Sequence, residues 1–530
     1  MTTDLTRIAE DSARGGFFLV SGSFVSTVVL ALMAILIGRL LGPELYGQYA
    51  LSFVITEMLY IFADFGITAG VVKYSASLRA EGKIGRAAKI IKDAILLKTA
   101  IGLAFFLLNF ALADFFAVTL LNRPELGFYI RLASVSIIFQ VLISVATSAY
   151  LGLDKTHYNA LTMNIQAVSK AIISIALVLL GFSIAGAVLG HVAGYIIAGV
   201  FGSSILLLIL RKYSENSDDN IGFTQTSKTL ISYGIPLYLS AILGGFAYPY
   251  QSFILAIFTT NIDIGNLKAA ANFYALITVV SAPITTALFP AFSKLDLAMD
   301  DKIKTFFKFA NKYTTILIVP IATLLIIFSK EIIQIVYGST YQTAAIFLSI
   351  HCLLYFLVGL GFLSLTSLFN GLGKTRITLK ISLIALLTIL ILYPILAKAY
   401  GVPGVIVAGI SAVAASTCYG MYVAKRNFKI EFDTKSLIKI YLVAAASTIP
   451  SLLLLQTSIL PRLVNVITGG LLYLAIYVTL TPIAGVVNSS ELKTLAEVVQ
   501  KIKFLAPVFK PLLRYQEKIL NRQQSTTKPS

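Results

Sequence analysis

Three ionisable side chains lie inside long apolar stretches of the sequence. Glu57 and Asp64 are seven residues apart in one stretch, and Lys170 lies within another. At 3.6 residues per turn, a spacing of seven brings both carboxylates to one face of a continuous helix. A charge at the centre of a membrane helix costs about 2.5–3.5 kcal/mol on insertion scales, so such residues commonly mark a transport pathway. The pattern predicts a site that couples to H⁺ or Na⁺.

A structural interpretation of the same residues stays open. Lys170 can pair with one of the two acids and hold the helices together, and both interpretations apply if a cation exchanges for that ion pair. Enzyme signatures are absent: the sequence has no Cys/His cluster for a metal and no Walker A sequence for ATP. We therefore expect no enzymatic activity, no bound metal and no cofactor.

A second set of side chains could bind a phosphorylated sugar. Arg14 and Arg39 flank the first apolar stretch and Lys268 begins the eighth, while Gln251 and Asn272 are polar residues of the second half. Arginine forms charge-assisted, bidentate hydrogen bonds to phosphate oxygens, and amides can hydrogen-bond sugar hydroxyls. The alternative for Arg39 and Lys268 is that their charged ends reach the membrane interface.

One proline is a candidate hinge. Pro236 lies near the start of the seventh apolar stretch and removes a backbone hydrogen bond there. Such a break is tolerated in a bilayer where it lines a cavity or bends a moving helix. A harmless kink is the alternative.

These residues must be positioned by membrane helices. Of the 530 residues, 57% are hydrophobic and only 12% charged, and mean hydropathy is +0.87. Apolar blocks of about 18 to 28 residues are long enough to cross a hydrocarbon core of about 30 Å. We count fourteen, at about 16–41, 47–72, 93–120, 128–152, 158–181, 184–211, 229–258, 264–291, 312–329, 342–371, 377–399, 402–425, 437–457 and 463–487.

The basic residues predict an orientation. If the N-terminus is cytoplasmic, the inner segments carry about five times as many Lys and Arg residues as the outer loops. The sequence therefore predicts a cell-membrane protein with both termini in the cytoplasm. The net charge of +18 follows from this asymmetry and needs no nucleic acid; anionic inner-leaflet lipid is the expected partner of the basic surface.

Two halves of the chain repeat one another. Gly152–Thr156 and Gly371–Thr375 have nearly the same sequence at an offset of 219 residues, and Gly47 matches Gly265 at an offset of 218. Because each copy holds an even number of predicted helices, both copies enter the membrane from the same side. Parallel repeats of this kind place a substrate cavity between them.

The predicted organisation is all-α and polytopic. It comprises two six-helix lobes at 1–212 and 229–426, a cytoplasmic linker at 213–228, accessory helices thirteen and fourteen at 427–488, and a cytoplasmic tail at 489–530 that is amphipathic and then disordered.

Five segments are similar to signatures of one known family. They are Gly38–Tyr49, Asp64–Tyr74, Tyr233–Pro236, Phe289–Ser293 and Lys330–Tyr341. These motifs resemble those of the polysaccharide transporter family, the Wzx-type oligosaccharide flippases, within a superfamily that also includes lipid II flippases and multidrug exporters. Fourteen predicted helices, where twelve would favour exporters, favour the flippases.

The resemblance implies a V-shaped pair of six-helix lobes that carries a polyprenyl-(pyro)phosphate-linked oligosaccharide to the outer leaflet by alternating access. Basic cavity residues would hold the phosphates, the last two helices would form a groove for the lipid tail, and polysaccharide assembly proteins would be further partners. Three alternatives stay open: a cation-coupled exporter of small amphipathic compounds, a membrane-embedded glycosyltransferase or ligase, and an adaptor without transport activity.

Overall fold

A computed structural model describes residues 2–214, 222–295, 300–456, 461–492 and 506–526. For residues 2–17 the backbone is described and the side chains are not, so the Arg14 side chain lies outside the described part of the chain. The segment 493–505, which includes most of the predicted amphipathic start of the tail, also lies outside it.

Within these ranges the chain is helical, with short connections and no strand. The helices are α1 (Thr2–Ser52), α2 (Val54–Phe62), α3 (Ile67–Ala80), α4 (Ile84–Ala111), α5 (Gly127–Gly152), α6 (Thr156–Leu177), α7 (Ser183–Ser214), α8 (Phe223–Gly245), α9 (Ala247–Phe258), α10 (Asn261–Ser293), α11 (Asp300–Ile327), α12 (Ser329–Val336), α13 (Ala344–Cys352), α14 (Leu365–Gly371), α15 (Thr375–Phe428), α16 (Thr434–Gln456), α17 (Arg462–Ile483) and α18 (Ala506–Thr526).

Three glycines break long helical stretches. Gly42 in α1, Gly181 between α6 and α7, and Gly401 in α15 have φ values of 74°, 91° and 61°. Glycine adopts positive φ without the steric penalty of a Cβ atom, so the chain turns there at little cost. The breaks fall where the predicted first, fifth and eleventh apolar blocks end, so each of these long stretches contains two predicted blocks.

Nine helices of the described chain are long and apolar enough to cross a membrane, or ten if the bent pair Ala344–Leu360 and Leu365–Gly371 counts as one span. The protein is thus a multi-pass, all-α membrane protein, as the sequence predicts. Three of the nine stretches, Phe18–Phe62, Thr156–Tyr213 and Thr375–Phe428, contain the glycine breaks. The number of fourteen crossings stays a prediction.

The chain forms two compact units. The first contains residues 1–269 and 393–405, and the second contains residues 270–392 and 406–530. In the first unit, α3, α4, α5 and α7 enclose a core around Ile91 and Tyr150. In the second unit, one core surrounds Tyr473 and another surrounds Phe369. One boundary lies within α10 and two lie within α15, whereas the described residues of the predicted linker 213–228 lie inside the first unit. The six-helix lobes stay a prediction drawn from the repeat.

The end of the C-terminal tail is predicted to be disordered, but much of it is helical. Residues 506–526 form α18, which packs on α17. Pro507 is accommodated in the first turn, where a proline leaves no intrahelical hydrogen bond unmade. The helix continues through Pro511 and Asn521.

Candidate functional site

A cavity of about 360 Å³ lies within the first compact unit. Its walls come from α1, α2, α6, α7, α9 and the start of α10. Its ionisable lining residues are Glu57, Lys170, His191 and Lys268, and its other polar lining residues are Tyr46, Tyr49, Tyr195, Tyr248 and Ser252. Three of the residues singled out in the sequence, Glu57, Lys170 and Lys268, are therefore brought together.

Lys170 is the first member of a chain of polar contacts. Its Nζ lies 3.2 Å from His191 Nε2, and the Tyr49 hydroxyl lies 2.8 Å from His191 Nδ1. An ammonium group has no acceptor lone pair, so a protonated Lys170 donates to Nε2. The imidazole then carries its proton on Nδ1 and donates to the Tyr49 oxygen. Phe53 stacks on the imidazole, with ring centroids 3.9 Å apart, and fixes its orientation.

Two glycines let α6 and α7 approach closely enough to build this arrangement. A Cβ atom at Gly190 would overlap the backbone of Ser174, and one at Gly194 would come within 2.9 Å of the Lys170 backbone. Small residues four apart are the usual means of close helix contact in membranes. The positions of Lys170 and His191 therefore depend on the absence of side chains next to them.

Glu57 and Lys268 complete the charged lining. Glu57, on α2, interacts with the Gln140 side chain and with the charges of Lys170 and Lys268. Lys268 Nζ hydrogen-bonds the Tyr248 hydroxyl and lies 4.7 Å from the centroid of the Tyr248 ring. With a neutral imidazole, the two amines and one carboxylate give the lining a formal charge of +1. An anionic ligand complements such a cavity.

Asp64 does not share this cavity, which corrects the expectation that it stacks with Glu57 on one helical face. The spacing argument needs a continuous helix, but the chain leaves the helical conformation between Phe62 and Ile67. Phe65 and Gly66 have φ values of 48° and 74°. The break separates the directions of the two carboxylates.

Asp64 instead has its own partner, which sequence reasoning missed. Lys98 Nζ lies 2.7 Å from Asp64 Oδ1, and the Thr68 hydroxyl donates to Oδ2 at 2.8 Å. The Lys98 side chain is 1% exposed. Thus the ion pair that the sequence suggested for Lys170 is made by Lys98. One feature of the sequence could have indicated this pair: Lys98 lies five residues inside the predicted block 93–120.

The other predicted site residues are placed elsewhere. Arg39 is exposed and Gln251 is half-buried, and neither lines the cavity. Asn272 belongs to the second unit, where its Nδ2 donates to the Tyr337 hydroxyl at 2.6 Å. Pro236 is exposed, and α8 continues through it. The proposed roles of these residues in substrate binding and hinge motion stay predictions.

At one end of the first unit, Arg123 joins the loop after α4 to the end of α9. Its Nε donates to Asn261 Oδ1 at 2.6 Å, and its other nitrogens bond the carbonyls of Thr259, at 2.5 Å, and Ala256. The last carbonyls of a helix lack intrahelical partners and carry partial negative charge, so a guanidinium is well suited to them. From the sequence Arg123 was only one basic residue of an outer loop.

Gly47 and Gly265, the glycines that match in the predicted repeat, lie where α1 and α10 are in contact. A Cβ atom at Gly47 would overlap the Asn261 carbonyl, and one at Gly265 would overlap the Pro43 carbonyl. The backbones of α1 and α10 therefore touch at two positions that carry the same residue in the predicted repeat. This contact gives a physical reason for glycine at both positions.

Long apolar helices around an internal, charged cavity define the class: a polytopic α-helical membrane protein with a polar internal site. Residues 12–296, more than half of the chain, match the family described as "Polysaccharide biosynthesis protein". The chain belongs to that family, as its motifs indicate.

Solved structures share the fold. The lipid II flippase MurJ in an inward closed conformation aligns with a TM-score of 0.71 and 17% identity, over 88% of this chain and 99% of that chain. An inward-facing multidrug resistance MATE family transporter of the MOP superfamily gives 0.57 and 16%, over 76% and 94%. A MOP superfamily transporter from Pyrococcus furiosus gives 0.54 and 15%, over 78% and 95%. No curated protein matches the chain in sequence.

Proposed function

We propose that this protein is a flippase that moves a polyprenyl-(pyro)phosphate-linked oligosaccharide from the inner to the outer leaflet by alternating access. The observation that carries the proposal is the cavity of the first unit, in which Lys170 and Lys268 face the same space with one carboxylate, Glu57. A net cationic cavity is unusual in a low-dielectric environment unless it receives an anion. Phosphate groups between sugar and lipid are such an anion.

The cavity is large enough to hold only part of the proposed substrate. At about 360 Å³ it lies at the lower end of the range of about 300–1,000 Å³ for ligand pockets. The phosphates and the adjacent sugar are the parts that this volume suits. The aromatic residues of the walls, Tyr195 and Tyr248, offer faces and hydroxyls for that sugar.

Ion coupling is part of the proposal. Glu57 interacts with Lys170 without an ion pair within 4.0 Å in the described chain, so a proton or Na⁺ can compete for the carboxylate. If the cation replaces Lys170 as the partner of Glu57, the ion gradient is linked to the conformation of the first unit. This proposal uses Glu57 and Lys170 and leaves Asp64 with Lys98.

A cation-coupled exporter of small amphipathic compounds is the second candidate. The TM-score of 0.57 to a MATE family transporter favours it. A lining charge of +1 opposes it for cationic dyes and drugs, because like charges repel strongly in a dry cavity.

The decisive experiment measures leaflet exchange of labelled prenyl-pyrophosphate sugar by the purified protein in liposomes. We expect exchange by the unmodified protein and a loss of about tenfold or more in K170Q/K268Q, equivalent to at least about 1.4 kcal/mol of lost phosphate binding. K330Q removes an exposed lysine outside the cavity and should exchange at the normal rate. Full exchange by K170Q/K268Q, or transport of dyes in its place, contradicts the proposal.

Localisation in the cell membrane with both termini cytoplasmic is also proposed, on the distribution of basic residues. Glu81 and Glu125 are exposed loop residues that serve as reporters on predicted opposite sides. In a Cys418→Ser background, E125C should react with an impermeant thiol reagent on intact cells. E81C should react only after permeabilisation, and the reverse pattern would refute the orientation.

A further inference from the structure

The C-terminal helix α18 is fixed against the end of α17 by specific contacts. Gln516 Nε2 donates to the Val478 carbonyl at 3.2 Å, and the hydroxyls of Thr479 and Tyr515 lie 3.0 Å apart. Leu520 is buried in the same core as the residues of α17. These contacts define which side of α18 faces the protein.

The contacts also fix the depth of α18 in the membrane. α17 has 22 residues, a length of about 33 Å, which matches a hydrocarbon core of about 30 Å. Its ends therefore lie at the two membrane surfaces. Val478 and Thr479 are about one turn from its end at Ile483, so α18 lies at the boundary between hydrocarbon and lipid headgroups.

Four cations form a stripe along a side of α18 that does not face α17. Lys510, Arg514, Lys518 and Arg522 recur every fourth residue, and all four are exposed. Four residues advance a helix by about 40°, so the stripe covers an arc of about 120°. Glu517 is the acidic residue within 510–522, and it is only half-exposed at the edge of the stripe. The stripe is therefore strongly positive.

Apolar residues separate the docked side from the cationic side. Leu512 and Tyr515 are 41% and 47% exposed, and Ile519 is half-buried beside them. A helix with an apolar arc next to a Lys/Arg arc is typical of segments that lie in the plane of a membrane interface. The exposed apolar arc faces hydrocarbon in that orientation, and the cations reach the headgroup level.

We propose that the stripe of Lys510, Arg514, Lys518 and Arg522 binds anionic phospholipid headgroups beside the end of α17. Phosphatidylglycerol and similar lipids carry a net negative charge that zwitterionic lipids lack, so they complement a surface with four cations and one carboxylate. The site is separate from the cavity and does not depend on the transported substrate. It would make the position of the last helix sensitive to the lipid composition of the membrane.

The absence of tryptophan from the sequence allows a direct test. Leu512→Trp places a unique fluorophore in the exposed apolar arc. The full-length protein is reconstituted with equal amounts of phosphatidylglycerol and phosphatidylcholine, and the bromine quencher is carried by one lipid or the other. We expect the brominated phosphatidylglycerol to quench more, with a local preference of roughly fivefold, the effect of one cation near an anionic surface. Salt at about 1 M should remove the preference by screening.

Two variants make the test specific. Ile449→Trp, on an exposed position of α16, should be quenched equally by both brominated lipids. Leu512→Trp combined with K510Q, R514Q, K518Q and R522Q should keep its contact with lipid and lose the preference. Equal quenching of Leu512→Trp by both lipids overturns the proposal, as does quenching by neither, which would indicate water or a protein partner at this surface. A preference that survives the four substitutions overturns it too.

Discussion

Glu57 is the carboxylate among the cavity's lining residues, and its charge is central to the proposed coupling. Glu57→Gln keeps the shape of the side chain and its contact with Gln140 but removes the charge that attracts a cation. We expect gradient-driven exchange of the lipid-linked sugar to fall by about tenfold, the consequence of losing about 1.4 kcal/mol. The measurement is exchange in liposomes with and without an imposed H⁺ or Na⁺ gradient.

The control for that substitution is Glu81→Gln, at an exposed loop position that does not line the cavity. It should leave the gradient response unchanged. If E57Q responds to the gradient like the unmodified protein, coupling does not use this carboxylate.

Asp64 should matter for stability more than for coupling. Asp64→Asn leaves the ammonium of Lys98, which is 1% exposed, without its charged partner. Removal of one member of a buried ion pair typically costs about 3–5 kcal/mol; because Asp64 itself is 28% exposed, we expect the lower end of that range. Thermal unfolding in a fixed detergent should show a clear decrease in Tm for D64N.

A double substitution distinguishes the effect of losing the ion pair from the effect of losing Asp64 itself. D64L/K98M replaces both charges by apolar side chains of similar size, which is often neutral for a buried pair. Its Tm should return towards that of the unmodified protein. A Tm of D64L/K98M as low as that of D64N would show that Asp64 has a role beyond neutralising Lys98.

At the scale of residues, the sequence identified the charges but not their partners. Glu57 and Lys170 are recognisable because an ionisable group inside an apolar block is rare. His191 and Tyr49 are not recognisable in this way, since neutral polar side chains are common in membrane helices. Their roles follow from the close packing of α6 and α7, which depends on contacts that the sequence order does not reveal.

The close approach of α1 and α10 at Gly47 can be tested by a substitution to alanine. Gly47→Ala places a Cβ atom onto the Asn261 carbonyl, and backbone cannot move aside as a flexible side chain does. We expect a loss of about 1–3 kcal/mol, the usual cost of overpacking. Thermal unfolding in detergent measures it.

Gly470→Ala in α17 is the matched substitution. Nothing lies within 4 Å of a Cβ atom there, so alanine should be neutral or stabilising by about 0.5–1 kcal/mol through its better helix propensity. Equal stability of G47A and G470A would mean that α1 and α10 do not touch as described.

The contact of Arg123 with Asn261 tests the proposed alternating access. If the two copies of the repeat separate at this end during the cycle, a covalent link between the positions should block transport. R123C/N261C joined by a short bifunctional maleimide, in a Cys418→Ser background, should lose at least about 90% of its exchange activity, a change of about 1.4 kcal/mol or more in rate terms. The readout is leaflet exchange before and after cross-linking.

D114C/R131C provides the control. Asp114 and Arg131 form an ion pair near the same loop within one copy of the repeat, so the same link should leave exchange unaffected. Undiminished exchange by cross-linked R123C/N261C would exclude separation at this contact.

At the scale of elements, the apolar blocks predicted where helices lie, and glycines with positive φ stand where three of those blocks end. Gly42, Gly181 and Gly401 lie at predicted block ends and turn the chain there. The break at Phe65 and Gly66 was not predicted from hydropathy, because the predicted apolar block 47–72 runs across it. It depends on Gly234, whose backbone abuts Gly66 and leaves no room for a side chain.

For the whole molecule, the repeat stays a prediction, whereas the family match and shared fold confirm the resemblance. The membrane character was evident from the sequence. The division into compact units was not. One of its boundaries, at Ala269, falls inside α10, a helix without any change of composition at that point. Such a boundary is set by which distant helices pack together, and the order of apolar blocks contains no signal for it.

The pair of Asp64 and Lys98 has a consequence for how the chain is made. Asp64 leaves the ribosome 34 residues before its partner, so the second apolar block first meets the bilayer with an uncompensated acid. Each charge alone opposes insertion by up to about 2.5–3.5 kcal/mol, and together they oppose it less. We expect α3 and α4 to enter the membrane as a hairpin, after synthesis of the second helix.

Truncated chains translated with microsomes can detect this order of events. A chain ending at residue 111 should integrate its second apolar block more efficiently than a chain ending at residue 92, as scored by a glycosylation tag. Lys98→Gln in the longer chain should reduce integration to the level of the shorter one. Equal integration of all three chains would show that the acid enters the bilayer without its partner, and that the ion pair forms only when the finished helices pack.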